Sequence, residues 1–125
     1  MMTDKYRVGA RHPMRFRDLD VLDASERVED QVMALIQRRS GRRLLYKRQL
    51  REAVHSVSSN IGEAFGRGAG RDRARVLRIA RGEAEEAIRH LASNLRASRI
   101  TSKEYWPIHN RLVVIVKMLN ALASR

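Results

Sequence analysis

The chain has 125 residues, 43% of them hydrophobic, and carries 26 Lys and Arg against 14 Asp and Glu, a net charge of +12. That length fits one domain, and the absence of cysteine excludes disulfides and thiolate chemistry and leaves only His and carboxylates for any zinc site. No apolar run approaches the roughly 20 residues of a membrane span, and the basic N-terminus lacks the apolar stretch of a secretory signal, so the expected location is cytoplasmic.

Aromatic residues make up only 5%, and two prolines and seven glycines leave few places to turn. Few, long elements packed helix on helix are expected. Residues 1–17 read as a basic tail without periodicity, carrying Lys5, Arg7, Arg11, Arg15 and Arg17 around Pro13. Residues 18–125 then form the bundle domain.

The first predicted helix covers residues 19–38, with the stripe Val21, Leu22, Val28, Val32, Leu35 and Ile36. Its first half holds Asp18, Asp20, Asp23, Glu26, Glu29 and Asp30, which suit the positive end of a helix dipole. Arg38 and Arg39 suit its other end, and Ser40-Gly41 terminates it. The second covers 42–65. Its apolar residues Leu50, Ala53, Val54, Val57, Ile61, Ala64 and Phe65 recur in steps of three and four, which fit a helix face and no strand. Gly66, Gly68 and Gly70 are expected to end it through positive φ.

The third covers 72–98 on Ala74, Leu77, Ala80, Ala84, Ala87, Ile88, Leu91 and Leu95. Gly82 interrupts it at a cost of about 1 kcal/mol relative to Ala, which predicts a close backbone contact there. The fourth covers 102–123 on Tyr105, Ile108, Leu112, Ile115, Val116, Leu119 and Leu122. Thr101 or Ser102 caps it, with Glu104 or Tyr105 near the third position, and Pro107 falls in the first two turns. Val113 and Val114 widen the apolar surface toward a contact between protomers. Short connections at 39–42, 66–71 and 99–101 give an all-α, antiparallel, up-down-up-down four-helix bundle.

Antiparallel topology assigns the charge to ends. Arg38, Arg39, Arg42, Arg43, Lys47, Arg48 and Arg51 surround the first connection, and the third brings Arg96, Arg99 and Lys103 to the same end. Only Glu52 and Glu104 stand against them. The opposite end carries Arg67, Arg71, Arg73, Arg75, Arg78 and Arg81, partly compensated by the acidic start of the first helix. The first end is therefore the candidate phosphate-binding surface, since Arg pairs bidentately with phosphate and stacks on bases. The competing reading is a solvated face screened by ions.

Catalytic patterns are weak. His12, His55, His90 and His109 show no metal-ligand spacing and no HExxH. Glu86 and His90 stand four apart in a single EAIRH, whereas a di-metal bundle needs Glu-x-x-His from two helices. Ser56 and Ser59 lack a GxSxG context. GRGAGR at 66–71 has neither a preceding strand nor the GK[ST] of a phosphate-binding loop, so a plain interhelical turn is the expected reading. No enzyme and no cofactor are predicted.

The stretch from Gln49 to Leu91 resembles the 23S rRNA-intervening-sequence protein family of four-helix bundles, with accessory proteins of diversity-generating retroelements as distant relatives. Gln49, Leu50, Arg51, Ala53, Ser56, Asn60, Ile61, Glu63, Gly66 and Arg67 carry the resemblance, followed by Ala80, Arg81, Gly82, Glu86 and Leu91. The chain departs from the family pattern at Ala64, where a glycine is usual, and at Glu83, where a serine is. The resemblance implies a closed homo-oligomeric ring, usually a pentamer, with no established enzymatic activity. On physical grounds Ser56 and Asn60 share a helix face, and a polar network of Asn60, Glu63 and Arg81 would fix helix register or hold a protomer contact. Ser56, Asn60, Glu63, Arg81 and Glu86 are thus a structural motif, and Asn60→Leu is expected to damage folding or assembly.

The leading function is an RNA-binding or other nucleic-acid-binding ring, the second a scaffold docking a nucleoprotein partner such as a reverse transcriptase through its Arg-rich end, and the third, disfavoured, a metal-dependent bundle enzyme.

Overall fold

The computed structural model describes residues 16–38 and 40–124. Among them are four helices, α1 (Phe16–Gln37), α2 (Lys47–Gly66), α3 (Arg71–Arg96) and α4 (Ser102–Ala123), and no strand. Each helix packs on its chain neighbour, and α1 closes the square against α4. This is the antiparallel bundle that the 3.6-residue periodicity predicts.

The core follows the apolar stripes. All seven predicted α2 positions, Leu50 to Phe65, are buried. The most extensive interface joins α2 and α3, whose buried faces include Ala53 and Ala64 on one helix and Ala80, Ala84 and Ala87 on the other, small side chains that allow helices to pack closely. Larger side chains fill the centre: Leu77, Leu91, Leu112, Ile115 and Leu119 are fully buried. Val76, Ser25 and Asn94 are also buried outside the predicted stripes, while Ala74, Ile88 and Leu95 are only half-buried. Ser25 is accommodated because its hydroxyl donates to the Leu22 carbonyl at 2.7 Å.

Several boundaries differ from the pattern. α1 starts at Phe16, two residues inside the predicted tail; residues 1–15 lie outside the described part. α2 starts at Lys47 rather than Arg42, although RRLLYKR is a good helix former. A tertiary contact overrides that propensity. The Asn94 side chain accepts from the Leu45 N–H at 2.7 Å and donates to the Leu45 carbonyl at 3.0 Å. This two-way amide pairing holds 42–46 as a loop, with Tyr46 left-handed at φ 54.

The glycines of the second connection act differently from expectation. Gly66 remains in α2, and the helix ends on extended Arg67, whose N–H reaches the Ala64 carbonyl at 3.2 Å. Only Gly70 of the three has positive φ, and it precedes α3. α3 stops at Arg96, with Ser98 left-handed at φ 55. Gly82 has open space where a Cβ would stand, so no close contact within the described residues explains it.

Candidate nucleic-acid interface

The predicted basic end is assembled where α1 stops, α2 and α4 start and α3 stops. Its centre is a knot around Arg38. One arm of the guanidinium bonds the Glu104 carboxylate. The other donates to the carbonyls of Arg42 at 2.9 Å and Arg99 at 2.6 Å. Gly41, at φ 96, lies beneath it, and a Cβ there would come within 2.8 Å of the guanidinium carbon. Arg99 repeats the device by donating to the Arg43 carbonyl at 3.1 Å.

Glu104 has two roles in this knot. The α4 cap is Thr101, whose hydroxyl accepts from the Glu104 N–H at 3.1 Å while the carboxylate accepts from the Thr101 N–H at 2.9 Å. This is the reciprocal capping box, completed at the other oxygen by Arg38. The Arg38 guanidinium, and after it the Thr101 N–H, hold the Glu104 carboxyl below its ordinary range.

The ten predicted phosphate-binding cations therefore divide. Arg38 and Arg99 are structural clamps, with geometry turned inward. Arg42, Arg43, Lys47, Arg51 and Lys103 are exposed and make no ion pair among the described residues. Arg48 is exposed and only loosely paired with Glu52 at 3.8 Å. Arg96 is exposed and donates to the Ser93 hydroxyl at 3.1 Å. Arg39 lies outside the described residues. With Glu104 engaged by Arg38, the exposed surface of this end carries one carboxylate, Glu52, against seven described cations.

The opposite end is compensated by acids around the second connection. Arg67 pairs with Glu63 at 2.6 Å and with Asp72, which also lies 3.4 Å from Arg75. The Arg67 hydrogen bond holds the Asp72 carboxyl below its ordinary range. Arg73 lies 4.8 Å above the Phe65 ring centroid.

The polar motif does not close into one network within the chain. Asn60 donates to the Ser56 carbonyl of its own helix at 2.9 Å, Glu63 pairs with Arg67, and Arg81 reaches Asn120 on α4 at 2.8 Å. Helical phase explains the separation. His55 and Ser58 both bond Glu29 on α1, at 2.7 and 2.8 Å, so Ser56, Asn60 and Glu63 take the other flank of α2, toward α3. Arg81 lies on the flank of α3 turned away from them. Glu86 bonds His90 at 3.4 Å, whose ring lies 5.2 Å from that of Tyr46.

No group of three His, Asp or Glu among the described residues is placed to hold a metal. A groove of about 330 Å³ runs between α1 and α4 past Ala34 and Pro107. Its polar groups are engaged: Arg38 with Glu104, and Gln31 accepting from Arg111 at 2.8 Å. What remains is an apolar trough without a free group to orient a small molecule. No described helix is long and apolar enough to cross a membrane.

Sequence reasoning missed Asn94, the residue that shapes the loop bearing Arg42 and Arg43. An asparagine at a buried phase of α3 was the available signal. It also passed over Trp106, which stands half-exposed at the same end of the bundle.

A family model described as 23S rRNA-intervening sequence protein matches residues 17–121. No curated protein matches the chain. Among solved structures, the chain is similar to a protein of unknown function from the S23 ribosomal protein family of Bacteroides thetaiotaomicron. The TM-score is 0.78 at 24% identity, over 88% of this chain and 100% of that one. At that identity the likeness bears on the fold.

Proposed function

The chain belongs to the 23S rRNA-intervening sequence protein family, and on that premise we propose that it is a non-enzymatic, cytoplasmic protein that binds RNA or another nucleic acid through the basic end of its bundle. One observation carries this reading: Arg42, Arg43, Lys47, Arg51 and Lys103 are exposed without ion pairs while the nearby Glu104 is engaged by Arg38. Unpaired cations concentrated on one surface attract phosphates and release their counterions. The family's association with ribosomal RNA genes supports RNA as the polyanion.

Assembly into a homo-oligomeric ring, pentameric by family resemblance, would repeat the basic end and raise avidity. Exposed Ile79 and Val114 support a contact between copies, and the α2 flank carrying Ser56 and Asn60 is the proposed polar part of it.

The test is fluorescence anisotropy of structured RNA and matched duplex DNA across a salt series, for wild type and for a variant with Arg42, Arg43, Lys47 and Arg48 changed to Glu. Binding should weaken steeply with salt in the wild type, and the logarithmic slope on duplex DNA should fall by about 3–4 in the variant if each cation meets one phosphate. No binding at low salt overturns the reading. Recovery of a nucleoprotein partner by the same isolated chain would then support the scaffold alternative.

A further inference from the structure

Trp106 is the only tryptophan of the chain, and 49% of its surface is exposed. Indoles bury large areas when they can, so a half-exposed one one turn into α4, at the basic end, asks for an occupant. The ring is fixed by its neighbours. It meets Tyr105 at 4.9 Å and 81°, and His109 at 5.0 Å and 78°. The Tyr105 hydroxyl and His109 Nδ1 are within hydrogen-bond distance at 3.0 Å. An aromatic surface held this way loses little freedom when something stacks on it.

The surrounding α4 surface selects the occupant. Lys103 and Asn110, three residues before and four after Trp106, lie on the same exposed face and are themselves exposed. Lys117 continues that face, and α4 contains no acid beyond Glu104, which is turned to Arg38. Pro107 supplies no N–H to the Lys103 carbonyl. A cation, an aromatic plane and an amide in line, with no carboxylate between them, match the phosphate, face and edge of a nucleotide.

We propose that Trp106 is a stacking platform for an unpaired base, so that the basic end takes single-stranded nucleic acid or unpaired loops in preference to continuous duplex. This rests on the reading of that end as a nucleic-acid surface and goes further by naming the form of nucleic acid. Bases inside a duplex are already stacked and do not offer a free face.

The single tryptophan reports directly. A mixed-sequence unpaired RNA oligonucleotide and its blunt duplex are titrated against the full chain, following Trp106 fluorescence and RNA anisotropy together. The unpaired strand should quench fluorescence with the same midpoint as the anisotropy change. Trp106→Ala should weaken the unpaired strand about tenfold or more, as loss of one base stack does, while duplex affinity stays within about twofold. Trp106→Phe should retain most of the binding. Duplex binding and the helical circular-dichroism signal of each variant report its fold. Equal binding of both RNAs with unmoved fluorescence overturns the platform and leaves the basic surface standing. A fluorescence change that follows protein concentration without RNA, with altered oligomer mass in Trp106→Ala, also overturns it by making this face a contact between copies. Absence of any RNA binding overturns the platform, and absence of DNA binding as well overturns the reading of the basic end.

Discussion

Asn94→Ala tests the reasoning about the loop that presents Arg42 and Arg43. The side chain is fully buried and makes three hydrogen bonds, two with Leu45 and one to the His90 carbonyl at 2.9 Å. Each is worth about 0.5–1.5 kcal/mol net, and truncation also leaves the Leu45 amide and carbonyl without their partner, so a loss of about 2–4 kcal/mol is expected. Against a typical total of about 5–15 kcal/mol this is a large fraction, and the midpoint temperature should fall by roughly 10 °C. Urea unfolding followed by circular dichroism gives the change, and hydrogen exchange at the Leu45 amide localises it. Asn94→Asp keeps the acceptor but loses both donors and sets a carboxylate against carbonyls. It should be at least as damaging at neutral pH and recover partly on acidification, when the protonated acid can donate. A loss below about 1 kcal/mol in the alanine variant, with unchanged exchange at Leu45, would refute the claim that Asn94 holds this loop.

Glu104→Gln preserves the capping geometry but removes the charge opposite Arg38. A depressed carboxyl contributes stability above its unfolded pKa and loses it as pH falls through the folded one. The variant should thus be about 1 kcal/mol less stable at neutral pH, a value discounted for partial exposure, and urea midpoints should converge with wild type in acid. Divergence there would count against the Arg38 pair. Asn60→Leu loses only a bond within its own helix, so monomer stability should change by less than about 1 kcal/mol, and any larger effect should appear in the oligomer mass measured by light scattering. Gly82→Ala meets open space and should raise thermal stability by about 0.5–1 kcal/mol through helix propensity; destabilisation would show that something approaches its backbone after all.

Periodicity made the bundle legible because apolar spacing alone determines which face each helix buries. α2 illustrates this: its seven apolar positions are its seven buried ones. The start of α4 was legible for a local reason, since Thr101 and Glu104 carry their own capping chemistry. The start of α2 was not legible, because its cause, Asn94, lies 49 residues beyond Leu45 in the chain. The same limit applies at the basic end. Charge and topology gather the cations there, but nothing local distinguishes inward-turned Arg38 and Arg99 from exposed Arg42 and Arg43. The motif around Asn60 reads as a network only until helical phase assigns Arg81 to the α4 side.

The Arg38 knot also bears on how this surface can change in evolution. An electrostatic field depends on the number and rough position of charges, so Arg42, Arg43, Lys47, Arg51 and Lys103 are open to exchange between lysine and arginine and to small shifts along the chain. Arg38 has no such freedom. It spans a carboxylate and two carbonyls with one planar fork, which a lysine ammonium, a single point charge, does not reproduce. The end of this bundle thus combines an adaptable exterior with a fixed fastening, allowing recognition to drift while the helix termini stay where they are.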